Sequence, residues 1–307
     1  MEMGKIAFVF SGQGAQYSGM GMELAQTSAA AAAVFAMADE IRPGTSEQCF
    51  TGTADELKQT INTQPCVFCV DLAAAEALRE QGIQPDMAAG FSLGEIPALA
   101  FSGKLAKEDA FRFVVERSKE MHRCGSEHPG TMFAVMGIGP GAVEEACSRV
   151  SGSYPVNYNG PMQTVVACTE EAAAAFPAEV VKVGGKSVRL PVSGGFHSPL
   201  MKQARTVLEE NFGHLKISDS RIPVYANVTA QPYGDNDLLF RQIDSPVLWH
   251  PTIMEMNRQG VDTFIEVGPG KTLINMITKF LPTAKVLSVE NKETLRTTME
   301  ELKDAGR

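Results

Sequence analysis

Met87-Ala88-Ala89-Gly90-Phe91-Ser92-Leu93-Gly94-Glu95 is the stretch whose reading decides the fold. Its first residues are small and apolar, as in a short buried strand, and Glu95 to Phe101 with Gly103 beyond reads as a helix with its stop. Between them, Gly90-Phe-Ser-Leu-Gly94 has the spacing of a nucleophile elbow. In that sharp strand-to-helix turn a serine stands at the apex and glycines leave room for the tight backbone. The pattern is short enough to arise by chance, so its meaning depends on its surroundings. Pro97 is tolerable if the helix begins at Leu93 or Gly94, because proline is harmless only within a first turn.

The surroundings agree with a strand-turn-helix unit. Upstream, Lys5-Ile-Ala-Phe-Val-Phe10 is β-branched and aromatic and is cut off by Ser11-Gly12, the pattern of a buried parallel strand ending at a loop. Gly21 to Glu40 is alanine-rich and predicts helix, and Gln64-Pro65 leads a second apolar-periodic run from Cys66 to Gln81. Helices joining short apolar strands require crossover connections, hence an α/β fold with a mainly parallel sheet.

The texture changes between about Glu127 and Leu190. Strands are expected at Thr131 to Met136, Thr164 to Cys168 and Ser187 to Leu190, with helices at Pro140 to Val150 and Glu170 to Phe176. This order outlines a small two-layer α+β insert with a four-stranded sheet. The expected domains are a large body, 1–127 and 192–307, and a small subdomain, 128–191. After the insert the earlier pattern returns, with helices at Pro199 to Phe212 and Pro251 to Gln259 and strands at Pro223 to Ala226 and Thr263 to Val267.

Composition narrows the function. The 307 residues are 44% apolar and 21% charged, enough for a real core and unlike a disordered chain or a coiled coil. A net charge of −9 disfavours nonspecific binding to nucleic acid or to an anionic membrane surface. No apolar run approaches the ~20 residues needed to cross a bilayer. The six cysteines are scattered in a way that suits a reducing compartment, so a cytoplasmic location is expected. Cys66-Val-Phe-Cys69 has no second pair at usable spacing, which argues for helix packing over zinc.

A serine nucleophile needs a base, and the five histidines are His122, His128, His197, His214 and His250. His197 is best placed, in Ser193-Gly-Gly-Phe-His-Ser-Pro-Leu200, just before a helix with Ser198 as N-cap and Pro199 as first residue. A helix N-terminus disfavours imidazolium and so favours a proton acceptor, although a loop histidine bonded to backbone fits the same segment. Arg117 lies on a helical stretch beside Phe113, Val114 and Met121. It reads either as a solvated arginine or as a fork for a carboxylate. Two glycine loops, Ser11-Gly-Gln-Gly-Ala-Gln16 and Gly268-Pro-Gly-Lys-Thr272, fail the spacing of nucleotide-binding loops. Backbone N–H groups presented to an oxyanion suit them better.

Taken in order, Ser11-Gly-Gln-Gly-Ala-Gln16, Thr63-Gln-Pro65, Gly90-Phe-Ser-Leu-Gly-Glu95, Arg117, Val156-Asn-Tyr-Asn159, Phe196-His-Ser-Pro-Leu-Met201, Asp244-Ser-Pro-Val247 and Glu266-Val-Gly-Pro-Gly-Lys271 resemble the malonyl-CoA:acyl carrier protein transacylases. The resemblance runs from Phe8 to about Thr278. It implies an α/β-hydrolase-like body with a small ferredoxin-like insert, and transfer of malonyl from malonyl-CoA to the carrier's phosphopantetheine thiol. Ser92 would be the nucleophile and His197 the base. The N–H groups of Gln13 and Leu93 would form the oxyanion hole, and the Leu248 carbonyl would orient the histidine. Arg117 would clamp the malonyl carboxylate, with Phe196, Met121 and Asn159 about the acyl group. No metal or bound cofactor is implied, and a monomer is expected.

One departure stands out: the family usually has histidine immediately before the serine, where this chain has Phe91. The expected partner is itself acidic, so a local basic surface is required, and Lys182, Lys186 and Arg189 are the candidates beside the reading of an ordinary solvated edge strand. The insert lies between Arg117 and His197 in sequence, which places the expected site at the cleft of body and insert. A serine hydrolase, a stand-alone acyltransferase of a polyketide assembly line and a non-catalytic carrier-binding homologue are the rival readings.

Overall fold

The structure is a computed structural model that describes residues 4–192 and 194–306. Its nine strands are β1 (Lys5–Phe10), β2 (Met87–Gly90), β3 (Gly130–Met136), β4 (Ser153–Gly160), β5 (Gln163–Thr169), β6 (Lys186–Arg189), β7 (Val224–Tyr225), β8 (Val261–Val267) and β9 (Lys285–Val289). They form two sheets, and contacts divide the chain into two units. The first comprises residues 1–118, 215–225 and 255–307, the second residues 119–214 and 226–254.

The first unit is built on a five-stranded sheet, order β7-β2-β1-β8-β9, in which every pairing is parallel. Ala7 to Phe10 are fully buried, as expected of a central strand covered on both faces. The helix Thr60–Glu80 packs into the core with almost no polar face, and small Ala73, Ala74, Ala75 and Ala77 let it approach closely. It starts six residues before the run that announced it, so Pro65 lies inside the helix and not ahead of it. The alanine-rich stretch forms two helices, Met22–Thr27 and Ala29–Ile41. They are divided at Ser28, whose hydroxyl accepts from Ala31 N at 3.1 Å and caps the second. Because β2, β1 and β8 are adjacent and parallel, the loops that follow them, at Phe91, Ser11 and Gly268, open on one edge of the sheet.

In the second unit β3, the helix Pro140–Ser148, β4, β5, the helix Glu170–Lys182 and β6 make a four-stranded antiparallel sheet, order β4-β5-β3-β6. This is the ferredoxin-like arrangement expected of the insert. Phe133, Val135, Val166 and Cys168 from the sheet pack with Val143, Phe176 and Val180 from the two helices. The second helix runs through Pro177, where the sequence suggested a stop at Phe176. Phe176 and Val180, one turn apart, both drive into that core, which offsets the hydrogen bond the proline removes. β4, like β9 in the first unit, had no sequence prediction: its residues include Pro155 and two register irregularities, which break the alternation a strand reading needs. Val247 N donates to Val156 O at 2.8 Å and Tyr158 N to Val247 O at 2.9 Å, tying the Asp244 to Val247 motif to this irregular strand.

Candidate active site

Among the described residues only Ser92, His197 and Ala230 are non-glycine residues with positive φ, at 55°, 62° and 53°. The left-handed conformation costs an L-residue about 1–2 kcal/mol, so it persists only where surrounding structure imposes it. Two of the three are the residues the sequence nominated as nucleophile and base.

For Ser92 the imposing structure is backbone packing. β2 ends at Gly90, a 3₁₀ turn covers Ser92–Gly94, and the helix Glu95–Ser102 follows, opening one residue later than Gly94 with Pro97 still in its first turn. A Cβ at Gly90 would overlap the peptide between Gly94 and Glu95, and one at Gly94 would overlap Phe10 O. A Cβ at Gly12 would lie 2.8 Å from Phe91 O and 3.0 Å from Phe91 Cδ1, so the loop after β1 lies directly on the elbow. Gln13 in that loop is anchored through its side chain, Nε2 donating to Thr60 Oγ1 at 3.1 Å. Leu93 is fully buried, which fixes the other nominated oxyanion donor within the turn.

Arg117, on the helix Lys107–Glu127, is 1% exposed. Its Nη1 donates to Gln64 Oε1 at 2.6 Å and its Nη2 to Ser92 Oγ at 3.3 Å. The solvated reading of this arginine is thereby excluded: a guanidinium is held at the serine by a neutral amide, with its positive charge not cancelled by that partner. Gln64 belongs to the Thr63-Gln-Pro65 motif, and its role as the arginine's holder is a contact the sequence did not announce.

His197 is 4% exposed, in the second unit, and its Nδ1 lies 2.7 Å from Gln242 O. A carbonyl can only accept, so Nδ1 carries the proton and, in the neutral ring, Nε2 carries the lone pair. The expectation of Leu248 as orienting carbonyl is therefore corrected to Gln242. Leu248 O accepts from Thr252 N at 3.0 Å and from Thr252 Oγ1 at 2.7 Å, the bonds of a helix opening at Trp249. Ser198 is the N-cap of the 3₁₀ turn Pro199–Met201, and its hydroxyl accepts from Leu200 N at 3.3 Å and donates to Gly195 O at 2.5 Å. Phe196, Met121 and Asn159 are all buried in this unit, and Asn159 Oδ1 has no hydrogen-bond partner among the described residues. Ser193 lies outside the described residues.

Lys182, Lys186 and Arg189 fall at the end of the second insert helix and along β6. Lys182 pairs with Glu179 at 2.6 Å, and Arg189 donates to Thr131 Oγ1 at 3.0 Å and meets Glu170 at 3.7 Å. Lys186 is exposed and has no ion pair among the described residues.

A serine in the left-handed region on a strand-to-helix turn, with a buried arginine at its hydroxyl, is an arrangement suited to acyl-transfer chemistry. Residues 7–301 match the acyl transferase domain family, and the chain belongs to that family. The malonyl CoA-acyl carrier protein transacylase of Bacillus subtilis (strain 168) is 36% identical to it over 313 residues, spanning 98% of each chain. The solved malonyl CoA-acyl carrier protein transacylase of Clostridium perfringens matches at a TM-score of 0.95 and 34% identity, again over 98% of both chains. A malonyl-transacylase in complex with its type II PKS acyl-carrier protein matches at a TM-score of 0.91 and 30% identity, over 97% of this chain and 99% of that one.

Proposed function

We propose that this chain moves malonyl from malonyl-CoA to the phosphopantetheine thiol of an acyl carrier protein through a malonyl-Ser92 intermediate. The observation that carries the reading is the buried Arg117 guanidinium, 3.3 Å from Ser92 Oγ, a cation built into the place where a substrate carboxylate would be met. In the first half-reaction His197 Nε2 takes the Ser92 hydroxyl proton as Oγ bonds to the thioester carbon. The C–S bond then breaks, and the imidazolium returns the proton to the coenzyme A thiolate. The second half-reaction runs the same steps in reverse with the carrier's thiol. Gln13 and Leu93 N–H groups serve as oxyanion donors, and Phe196, Met121 and Asn159 shape the acyl site. All of these steps use protein groups alone, without metal or cofactor.

Malonyl supply to fatty-acid synthesis in the cytoplasm is the setting that this chemistry and the full-length relatives support, and a monomer is the working state we propose. The match to the polyketide complex favours a second reading, a stand-alone transferase of a polyketide assembly line, and relative rates with the two kinds of carrier separate them. Residues 1–127 with 192–307 form the catalytic body in this reading and 128–191 the subdomain, with Lys182, Lys186 and Arg189 toward the carrier. Lys186 is the strongest of the three because its charge is not already paired. Incubation with malonyl-CoA followed by intact-mass measurement tests the core claim: one malonyl adduct is expected, and none in Ser92→Ala. A wild-type protein that takes no malonyl refutes it.

A further inference from the structure

Asp71 lies in the middle of the helix Thr60–Glu80, between buried Val70 and Leu72. It is fully buried, and neither of its carboxyl oxygens has a hydrogen-bond partner among the described residues. An ionised carboxylate there would be a buried charge without a donor, far costlier than the neutral acid. Burial, helped by the nearby Glu266 carboxyl, holds its proton well above the ordinary carboxylate range. Glu266 on β8 is buried as well. Its oxygens accept from Leu273 N at 3.1 Å and Ile274 N at 3.0 Å, in the first turn of the helix Thr272–Phe280. Burial outweighs those two bonds, and Glu266 is pushed up to about 7. The other acid acting on Glu266 is Glu290, whose Oε2 accepts from Gly270 N at 2.8 Å. On the helix of Asp71 itself the titratable neighbour is Cys69, its thiol raised chiefly by burial.

The acid pair lies beneath two of the three loops at the sheet edge. A Cβ at Gly268, where φ is 121°, would overlap Asp71 Oδ1 and lie 2.7 Å from Ser11 Oγ, so both oxygens converge on the bare face of that glycine. Ser11 Oγ is 3.4 Å from Val267 O and 3.3 Å from Pro269 O, and it also hydrogen-bonds the Glu266 carboxyl. Ser11 in turn bears on the elbow, its carbonyl 2.5 Å from where a Cβ of Gly94 would be, and it stands two residues before Gln13.

We propose that Asp71 is a positioning residue: a buried neutral carboxylic acid that, beside Glu266 and under Gly268 and Ser11, fixes the loop that aims the Gln13 N–H. The proposal rests on the reading of Gln13 as an oxyanion donor. Loss of the Asp71 proton places an unsolvated negative charge next to Glu266, and the loop shifts to relieve it. The native state holds protons here that the unfolded chain gives up. Its stability is therefore greatest below the ordinary carboxylate range, falls as pH rises through about 7 for Glu266, and falls further as Asp71 ionises.

Asp71→Ala and Asp71→Asn test the proposal. With sites counted by malonyl adduct, Asp71→Ala is expected to lose about tenfold in kcat with KM for malonyl-CoA unchanged. Asp71→Asn keeps shape and neutrality. It restores kcat to within about twofold at neutral pH and retains it into the alkaline range, where the wild type declines as Asp71 ionises. At neutral pH the wild type shows the infrared C=O band of protonated Asp71, and in Asp71→Asn only the Glu266 contribution is left. Absence of that band, or superposable pH profiles of kcat for wild type and Asp71→Asn, overturns the proposal. Should Asp71→Ala not fold, the comparison of wild type with Asp71→Asn decides alone. A protein without malonyl adduct but with the band breaks the proposed function and not the charge state of Asp71.

Discussion

The elbow around Ser92 and the loop around His197 hold their residues in the same unfavourable backbone region by different means. Ser92 is forced there by main chain pressed on main chain, with Gly90, Gly94 and Gly12 closing onto neighbouring peptides. His197 is held by polar bonds, Nδ1 to Gln242 O and the Ser198 hydroxyl across its own turn. The proposed nucleophile, fixed by packing, keeps its position whatever side chain stands there. The proposed base, fixed by hydrogen bonds, loses its tautomer and its direction together when they go.

Among variants that keep Ser92, the largest effect should come from His197→Ala, which removes the proposed base and its bond to Gln242: the rate of Ser92 acylation falls about a thousandfold while circular dichroism stays native. A loss below about tenfold would show that the polar-bonded loop is not the catalytic half of the comparison. Arg117→Ala should lower malonyl kcat/KM about a hundredfold while leaving acetyl-CoA much less affected, and equal losses for both substrates remove the carboxylate clamp. Ser92→Gly abolishes transfer yet should raise unfolding free energy by about 1 kcal/mol, since glycine adopts the elbow conformation without strain. A destabilised Ser92→Gly would mean that side-chain bonds, not packing, hold the elbow. Last, Lys186→Glu should slow transfer to the carrier by about threefold with malonyl loading unchanged, read by single-turnover kinetics of each half-reaction.

Much of this arrangement is legible in the chain because it depends on side chains of unusual type or place. Lys5 to Phe10 reads as a buried strand because its alternation is absent, and Gly90 and Gly94 read as an elbow because no other residue fits there. Arg117 draws notice as a lone guanidinium among Phe113, Val114 and Met121. Gln242 does not, because what it supplies is a carbonyl that every residue has; the nearby Asp244 to Val247 motif marks the region but not the atom. β4 escaped for a related reason, its bulges and Pro155 erasing the period-2 signal while cross-strand bonds maintain the strand. Asp71 did leave a trace, an acid inside an otherwise apolar helical run, yet only its depth and its want of donors give it meaning.

The main-chain origin of the histidine's acceptor has an evolutionary consequence. No single codon change can delete the Gln242 carbonyl, so selection on the base's orientation acts through whatever keeps that stretch of backbone in place. Any residue that fits the fully buried site at 242 keeps the acceptor, so damage to it comes from insertions, deletions or poorly fitting side chains that displace the segment, whereas a side-chain carboxylate partner would be lost to a single missense change.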